Sequence, residues 1–169
     1  MPPFRAKSEA WYRSTGGCDK IRRVSCYLFF MNKKTTILVV EDEQMLRDLY
    51  VEALQTQGFV VLSATDGVEA LEQVQKHAEE IDLIVLDLLM PRKDGFEVLE
   101  AMNKHDQWKN IPVIVATNLS EESDKEKAFA LGANEYIVKL ATTPQKLAAD
   151  IASICCSRKG TQRKRVIMQ

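Results

Sequence analysis

The sequence has no apolar run that approaches the roughly 20 residues of a membrane-spanning helix, so a membrane span is not expected. Cysteine is missing from the central residues 31–154, since the four cysteines are Cys18, Cys26, Cys155 and Cys156. No spacing among them matches a zinc site, and reduced thiols are the simpler interpretation. The two histidines fall on predicted exposed helix surface, so neither is a candidate functional residue. These absences leave a globular protein whose chemistry depends on other side chains.

A strong net charge is also absent, because 23 Lys/Arg and 24 Asp/Glu give a net charge of -1. The distribution is uneven, however: residues 1–30 hold six basic and two acidic side chains, and residues 155–169 hold five basic side chains and no acidic one. The centre therefore carries 12 basic against 22 acidic side chains, which repel nucleic-acid phosphates, so nucleic acid is not expected as a partner. We predict three segments: a basic, disordered extension (1–34), a folded domain (35–156) and a basic tail (157–169).

Short apolar runs alternate with stretches of helical spacing along the folded segment. The predicted strands are Ile37–Val40, Phe59–Leu62, the run from Ile81 that ends at Asp87, Pro112–Thr117 and Tyr136–Lys139. Five strands that alternate with five helices imply right-handed crossovers and a parallel sheet covered on both faces, which is a three-layer α/β fold. The helix boundaries follow from capping residues. The expected N-caps are Asp66, Ser120 and Thr143, and the expected helix-ending glycines are Gly58 and Gly132.

The apolar run of strand length that begins at Ile81 ends in a carboxylate, Asp87, and Met90-Pro91 follows. A strand this apolar is expected to be buried on both faces of a parallel sheet. The side chain at its carboxyl end then points into the crevice where open α/β sheets place their chemistry. Asp87 is therefore the candidate nucleophile, and capping a loop is its alternative role.

Other charged or hydroxyl side chains end the neighbouring strands at the same edge. Glu41 and Asp42 follow the first strand, Thr117 ends the fourth, and Lys139 ends the fifth. Converging carboxylates repel one another, and a hard divalent cation such as Mg2+ relieves that repulsion through oxygen ligands. Lys139 and Thr117 can supply a positive charge and a hydroxyl to phosphoryl oxygens. The constellation predicts Mg2+-assisted phosphoryl transfer onto Asp87.

The same residues lie in motifs that resemble the receiver domains of two-component response regulators. The resemblance covers residues 36 to about 154 and depends on Val39–Glu43, Leu86–Pro91, Asp94–Gly95, Val115–Thr117 and Tyr136–Lys139. One motif alone is a weak signal, whereas five in this order and spacing are specific. The resemblance implies a flavodoxin-like three-layer sandwich with five parallel strands in the order 2-1-3-4-5 and five helices.

The resemblance also implies a role for each site residue. Asp87 is the phosphoacceptor, and Mg2+ is held by Glu41, Asp42, Asp87 and the backbone carbonyl of Leu89. Lys139 pairs with the phosphoryl group. For Glu41 and Asp42 the simpler alternative is an acidic cluster at a helix N-terminus that holds no metal. For Lys139 the simpler alternative is a solvated charge at the end of a strand.

Thr117 and Tyr136 form the switch that the resemblance implies. A phosphoryl group adds about two negative charges and several acceptor oxygens. Thr117 moves to donate to one of these oxygens, and Tyr136 turns inward into the space that Thr117 vacates. The face made by the fourth helix, fifth strand and fifth helix then changes shape and docks a downstream protein. The expected donor is a histidine kinase or a phosphotransfer protein. We expect a stand-alone cytoplasmic receiver that catalyses only its own phosphorylation and dephosphorylation, with a homodimer left open.

Three residues depart from the usual receiver pattern. Leu140 follows Lys139 where the family has a proline after a cis peptide, and a cis bond before a non-proline residue costs about 2.5–4 kcal/mol, so we predict a trans bond and a rearranged loop. That departure puts the reach of Lys139 in question. Asn118 stands where a small residue is common, and it would narrow access to the phosphoryl group. Leu89 has no polar group to orient an attacking water, which predicts a long-lived phosphoryl state.

Three other functions compete with the switch. A flavodoxin-like cofactor binder needs a phosphate cradle after the first strand, where Glu41-Asp42-Glu43 would repel phosphate. A magnesium-dependent phosphatase needs a second acid and a cap insertion, which we do not find. A non-phosphorylated interaction module is favoured by the Leu140 departure. The basic tail could contact nucleic acid or anionic lipid, although a solvated end is the simpler expectation.

Overall fold

Five parallel strands form the central sheet of the described part of the chain, residues 34–158 of this computed structural model. The strands are β1 (Thr36–Val40), β2 (Val60–Ala64), β3 (Ile81–Leu86), β4 (Val113–Thr117) and β5 (Glu135–Val138). Their order is β2-β1-β3-β4-β5, and every pair is parallel. This order confirms the predicted flavodoxin-like sheet.

Five α-helices connect the strands and cover the sheet. They are α1 (Gln44–Thr56), α2 (Gly67–His77), α3 (Gly95–Lys104), α4 (Glu122–Ala130) and α5 (Pro144–Arg158). Helix α1 packs against α5, and α2 packs against α3, so the three-layer arrangement is confirmed. Among residues 34–158, no helix is both long and apolar enough to cross a bilayer.

The central strands are apolar on both faces because helices cover both. One face contributes alternate residues to a core that it shares with α2, α3 and α4. That core includes Leu38, Val40, Ile84, Leu86, Val115, Ala70, Val98 and Ala128. The intervening residues point to the opposite face, and Ile37, Val39, Leu83 and Val85 are buried there. Burial on both sides explains why residues 37–40 of β1 and 83–86 of β3 are continuous apolar runs.

Helix boundaries follow the capping residues with one exception. The Asp66 carboxylate accepts hydrogen bonds from two amides of the first turn of α2, and the Thr143 hydroxyl accepts one in α5, as predicted. Gly58 and Gly132 follow α1 and α4 with φ of 90° and 105°, a region that favours glycine. The prediction for Ser120 was wrong. Helix α4 begins at Glu122, and its N-cap residue is Glu121, which makes no side-chain capping bond.

The predicted boundary between the folded domain and the tail, at residue 156, falls inside α5. Helix α5 continues to Arg158, two residues beyond the predicted end of the domain at 156. The basic extension, up to residue 33, and the tail from residue 159 lie outside the described residues. The expectations for those two segments therefore stay predictions.

Candidate functional site

Three carboxylates meet beyond the carboxyl ends of β1 and β3. The pairing of Val40 with Leu86 places the next residues, Glu41 and Asp87, side by side, and the Asp87 amide donates to the Val40 carbonyl at 3.0 Å. Glu41 and Asp87 are 3% and 6% exposed, whereas Asp42 is exposed. One carboxylate oxygen from each of the three lies within 4.8 Å of the others. The side chains that the sequence singles out do converge.

Lys139 enters the same place from β5. Its Nζ donates to Glu41 Oε2 and to Asp87 Oδ2, each at 2.5 Å, and the residue is 8% exposed. The register of β4 and β5, which pairs Thr117 with Val138, puts Lys139 at this edge of the sheet. We call Glu41, Asp42, Asp87 and Lys139 the acidic crevice.

The departure at Leu140 does not keep Lys139 out of the crevice. No peptide bond within residues 34–158 is cis, which confirms the predicted trans bond before Leu140. The chain instead makes one 3-10 turn over Lys139–Ala141, with the Thr142 amide donating to the Lys139 carbonyl at 3.1 Å. Leu140 is 84% exposed in this turn. The turn directs the lysine inward and the leucine outward, so the doubt about the reach of Lys139 is removed.

The electrostatics of the crevice favour a cation. Burial raises the pKa of Glu41 from 4.5 to about 7, against the opposing effect of the hydrogen bond and charge of Lys139. Asp87 and Asp42 raise the same pKa further by like-charge repulsion. Burial and the nearby Glu41 and Asp87 carboxylates also raise the pKa of Tyr50 to about 12. When all three carboxylates are ionised, the single positive charge of Lys139 leaves the crevice with a net negative charge.

The oxygen-rich donor set is the type that Mg2+ prefers. Glu41, Asp42 and Asp87 each offer a carboxylate oxygen to one point, and a divalent cation there would remove the repulsion among them. The Leu89 amide donates to Asp87 Oδ1 at 3.1 Å, so the residue lies beside the acceptor carboxylate. Its carbonyl as a metal ligand stays a prediction.

A basic residue that the sequence analysis missed bonds the backbone of the segment that carries two of the carboxylates. The Arg47 guanidinium donates to the backbone carbonyl of Glu41 at 2.8 Å and to that of Asp42 at 3.2 Å. These bonds fix the turn between β1 and α1. A basic side chain one helical turn into a helix that follows strand-end acids is the signal that could have indicated it.

A glycine closes the loop that follows Asp87. We call residues 88–94 the acceptor loop. The Gly95 amide donates to the Leu88 carbonyl at 3.1 Å, and a Cβ at position 95 would overlap the Asp87 carbonyl. Asp94 then caps α3 in a capping box with Glu97. The Asp94-Gly95 motif is therefore explained by close backbone approach and by capping.

The two predicted switch residues are joined through the backbone of a third. Thr117 is fully buried at the end of β4, and its hydroxyl accepts a long bond of 3.5 Å from the Leu119 amide. The Tyr136 hydroxyl donates to the Leu119 carbonyl at 3.1 Å. Burial, followed by Asp124 and Asp87, raises the pKa of Tyr136. We call Thr117, Leu119 and Tyr136 the switch link; Leu119 was not anticipated, because a backbone contact leaves no signature in side-chain identity.

Comparison with known proteins places these residues in a family context. Residues 37–152 match the family model described as "Response regulator receiver domain". The chain is similar to "Probable transcriptional regulator ycf27" of Porphyridium aerugineum, at 39% identity over 122 residues that cover 72% of this chain and 48% of the relative. It is also similar to "Response regulator RR06" of Streptococcus pneumoniae serotype 2, at 45% identity over 104 residues that cover 61% and 45%. The chain spans about half the length of these curated relatives.

The fold is similar to that of a solved complex as well. The match is to a chain of the CheX-CheY-BeF3-Mg+2 complex from Borrelia burgdorferi, with a TM-score of 0.68 and 26% identity. It covers 75% of this chain and 93% of that chain. The strand order, the matched range and these similarities all agree with the predicted resemblance.

Proposed function

The chain belongs to the response regulator receiver domain family, and we propose that it is a phosphorylation-controlled switch with Asp87 as its phosphoacceptor. The observation that carries the proposal is the position of the Lys139 ammonium, 2.5 Å from both Glu41 and Asp87. A buried carboxylate beside a fixed cation has a nucleophilic oxygen and a partner for developing negative charge. Neither a loop cap nor a solvated strand-end lysine requires this arrangement.

The proposed step is transfer of a phosphoryl group to an Asp87 carboxylate oxygen. That oxygen forms a bond to phosphorus while the bond from phosphorus to the donor atom breaks and its electron pair leaves with the donor. Lys139 donates to a phosphoryl oxygen, and Thr117 offers its hydroxyl to another. The Leu89 amide holds the second carboxylate oxygen in place.

Glu41, Asp42, Asp87 and the Leu89 carbonyl are the proposed ligands of Mg2+. When bound, Mg2+ supplies positive charge that offsets the carboxylates and the phosphoryl oxygens. The Borrelia structure named above contains Mg2+ and BeF3, which supports a divalent cation as the partner of this family's acidic cluster. Arg47 contributes by fixing the backbone of the first two ligands.

The switch link is the proposed route from Asp87 to a docking face. Movement of the Thr117 hydroxyl toward a phosphoryl oxygen removes the acceptor of the Leu119 amide. The Leu119 carbonyl bonds Tyr136, so that ring and the start of α4 respond together. The face of α4, β5 and α5 then presents a changed surface to a downstream protein, as a shift between two conformations.

The proposed donors are a histidine kinase or a phosphotransfer protein. The expectations of a stand-alone receiver and of a cytoplasmic location stay predictions. The expectation that nucleic acid is not a partner has no support from the relatives, because the ycf27 protein is named as a transcriptional regulator. The non-phosphorylated alternative loses its main argument, since Lys139 lies in the crevice despite Leu140.

Incubation with acetyl phosphate and Mg2+ tests the proposal. We expect one phosphoryl group per wild-type chain and none on Asp87→Ala, measured by intact mass and by peptide mapping. Asp48→Ala is the matched control, because Asp48 is an exposed carboxylate of α1, and it should take up the label like the wild type. A wild type that stays unmodified with this donor and with histidine kinases, or an Asp87→Ala variant that is modified, contradicts the proposal.

A further inference from the structure

The acceptor loop contains a strained residue. Arg92 has φ 66°, and it is the one non-glycine residue with positive φ within residues 34–158. The Lys93 amide donates to the Pro91 carbonyl at 2.8 Å, which makes a three-residue turn centred on Arg92. A γ-turn with positive φ is rare and strained, and glycine would adopt it at lower cost. An arginine at this position indicates that its side chain offsets the strain.

The Arg92 side chain pairs with a buried carboxylate that two backbone amides also bond. Its guanidinium contacts Asp66 Oδ2, and Asp66 is 1% exposed. Asp66 Oδ1 accepts from the amides of Val68 at 2.8 Å and Glu69 at 3.0 Å, which fixes the carboxylate at the start of α2. An ion pair between an exposed arginine and a fixed, buried carboxylate stabilises the protein more than an ordinary surface pair does. The reason is that only the arginine side chain loses conformational entropy when the bond forms.

A second contact joins the same two segments. The Gly67 amide donates to the Lys93 carbonyl at 3.2 Å. A Cβ at position 67 would lie 2.5 Å from that carbonyl oxygen, so only glycine permits this approach. Two consecutive residues of the acceptor loop are therefore attached to the first turn of α2.

We propose that Asp66 and Arg92 are positioning residues for phosphoryl acceptance by Asp87. The acceptor loop carries the Leu89 amide that bonds Asp87 Oδ1 at 3.1 Å, and it closes at the Leu88 carbonyl. The Asp66–Arg92 pair holds the strained turn that lies between Leu89 and the end of the acceptor loop. Loss of the pair lets the loop relax and displaces the Leu89 amide from Asp87. This inference rests on the proposed function, and it adds two residues outside the acidic crevice to its machinery.

Amide hydrogen exchange of the full chain without metal tests the attachment itself. In Arg92→Gln the strain remains and the charge is lost, so the Gly67 and Leu89 amides should exchange about tenfold faster than in the wild type. Arg92→Gly removes the strain as well and should give a smaller increase, and Arg92→Lys should restore most of the protection. Lys76→Gln is the control. The Lys76 side chain is 63% exposed, which matches the 62% of Arg92, and it also pairs with a carboxylate, that of Glu72 on α2. Equal exchange in Arg92→Gln and wild type overturns the inference.

Labelling by acetyl phosphate tests the role in phosphoryl acceptance. Arg92→Gln and Asp66→Asn should each slow labelling about tenfold and raise the Mg2+ concentration for half-maximal labelling, and the double variant should be no slower than either. Asp66→Asn keeps an oxygen for the two amides of α2, so loss of the cap does not account for the effect. A labelled wild type with unaffected variants overturns this inference alone. A wild type that takes up no label from acetyl phosphate or from histidine kinases overturns the proposed function as well, and the exchange measurement separates the two cases.

Discussion

The acidic crevice and the switch link occupy the same edge of the sheet, but different kinds of interaction hold them. Lys139 bonds two buried carboxylates at 2.5 Å each, and these charge-assisted bonds lie where little water competes. The switch link consists of one bond of 3.5 Å and one of 3.1 Å between neutral groups. The charged centre is built to keep its geometry, whereas the link can exchange partners at a cost of about 1 kcal/mol per bond.

The helices next to the two regions also differ in how firmly they are packed. Helix α3, which follows the acceptor loop, buries Gly95, Val98, Leu99 and Met102. Helix α4, which lies in the chain between Leu119 and Tyr136 of the switch link, buries only Ala128 among its nine residues. A helix with few buried contacts opens at low cost, so α4 is the element that a small change at Thr117 could move.

Removing the positive charge of Lys139 should have the largest effect on phosphoryl transfer in the acidic crevice. We expect Lys139→Met to slow acetyl phosphate labelling of Asp87 about 100- to 1000-fold, the usual cost of losing one group that stabilises developing charge. The rate is measured from the time course of intact mass at saturating Mg2+. Lys104→Met is the control, because Lys104 also bonds a carboxylate at 2.5 Å, on the exposed surface of α3. Equal rates for the two variants would show that the short bonds of the crevice have no part in transfer.

The pH dependence of stability should separate the two regions next. The pKa of Glu41 rises from 4.5 to about 7 on folding, chiefly through burial. The folded state therefore binds this proton more tightly, so its stabilising contribution is complete below pH 4.5 and is lost as pH rises toward about 7. At 1.36 kcal/mol per unit, the loss is at most about 3 kcal/mol.

Urea unfolding in chelator, across this pH range, measures the effect. Glu41→Gln should flatten the curve between pH 4.5 and 7, whereas Tyr136→Phe, which alters the switch link, should keep the wild-type slope. Added Mg2+ should stabilise the wild type more at the upper end of the range, where Glu41 is ionised. Parallel curves for wild type and Glu41→Gln would contradict the assigned cause.

The lifetime of the phosphoryl group is expected to depend on Leu89. This side chain is 53% exposed at the crevice and has no polar atom to orient a water molecule, so the wild type should lose its label slowly. Leu89→Asn supplies an amide and should shorten the half-life about tenfold. Decay of labelled protein after removal of the donor measures it, with Leu49→Asn, a change of the same kind at an exposed position of α1, as the control. A fast decay in the wild type rules out the long-lived state.

The sequence was sufficient for the features that a pattern of residue types determines. Apolar strands that each end in a polar residue place Glu41, Asp87 and Lys139 at one edge, and the observed register brings them together. Features that depend on backbone contacts were not predictable. The Leu119 peptide, the bonds of Arg47 to two carbonyls and the turn at Arg92 are set by chain geometry, which side-chain identity does not encode. Ser120 is a good capping residue by type, yet the helix begins one residue later, with Glu121 as its N-cap.

The smallest expected effect is at the switch link, and it distinguishes the link from the crevice most directly. Tyr136→Phe removes the donor to the Leu119 carbonyl and keeps the ring. Loss of one neutral hydrogen bond, about 0.5–1.5 kcal/mol, should speed exchange of the Asp124 and Lys125 amides in the first turn of α4 by about two- to tenfold. Labelling of Asp87 should stay within about twofold of wild type, because no charged bond of the crevice changes.

Tyr50→Phe is the matched control for that variant. It removes the same kind of hydroxyl from a tyrosine that lies on α1 rather than beside α4. Burial and the crevice carboxylates raise the pKa of that hydroxyl. Exchange in α4 should therefore be unaffected in Tyr50→Phe. If both variants changed α4 equally, or if Tyr136→Phe slowed labelling as much as Lys139→Met, the crevice and the link would be one rigid unit. The weak bonds of the link would then have no separate role in signalling.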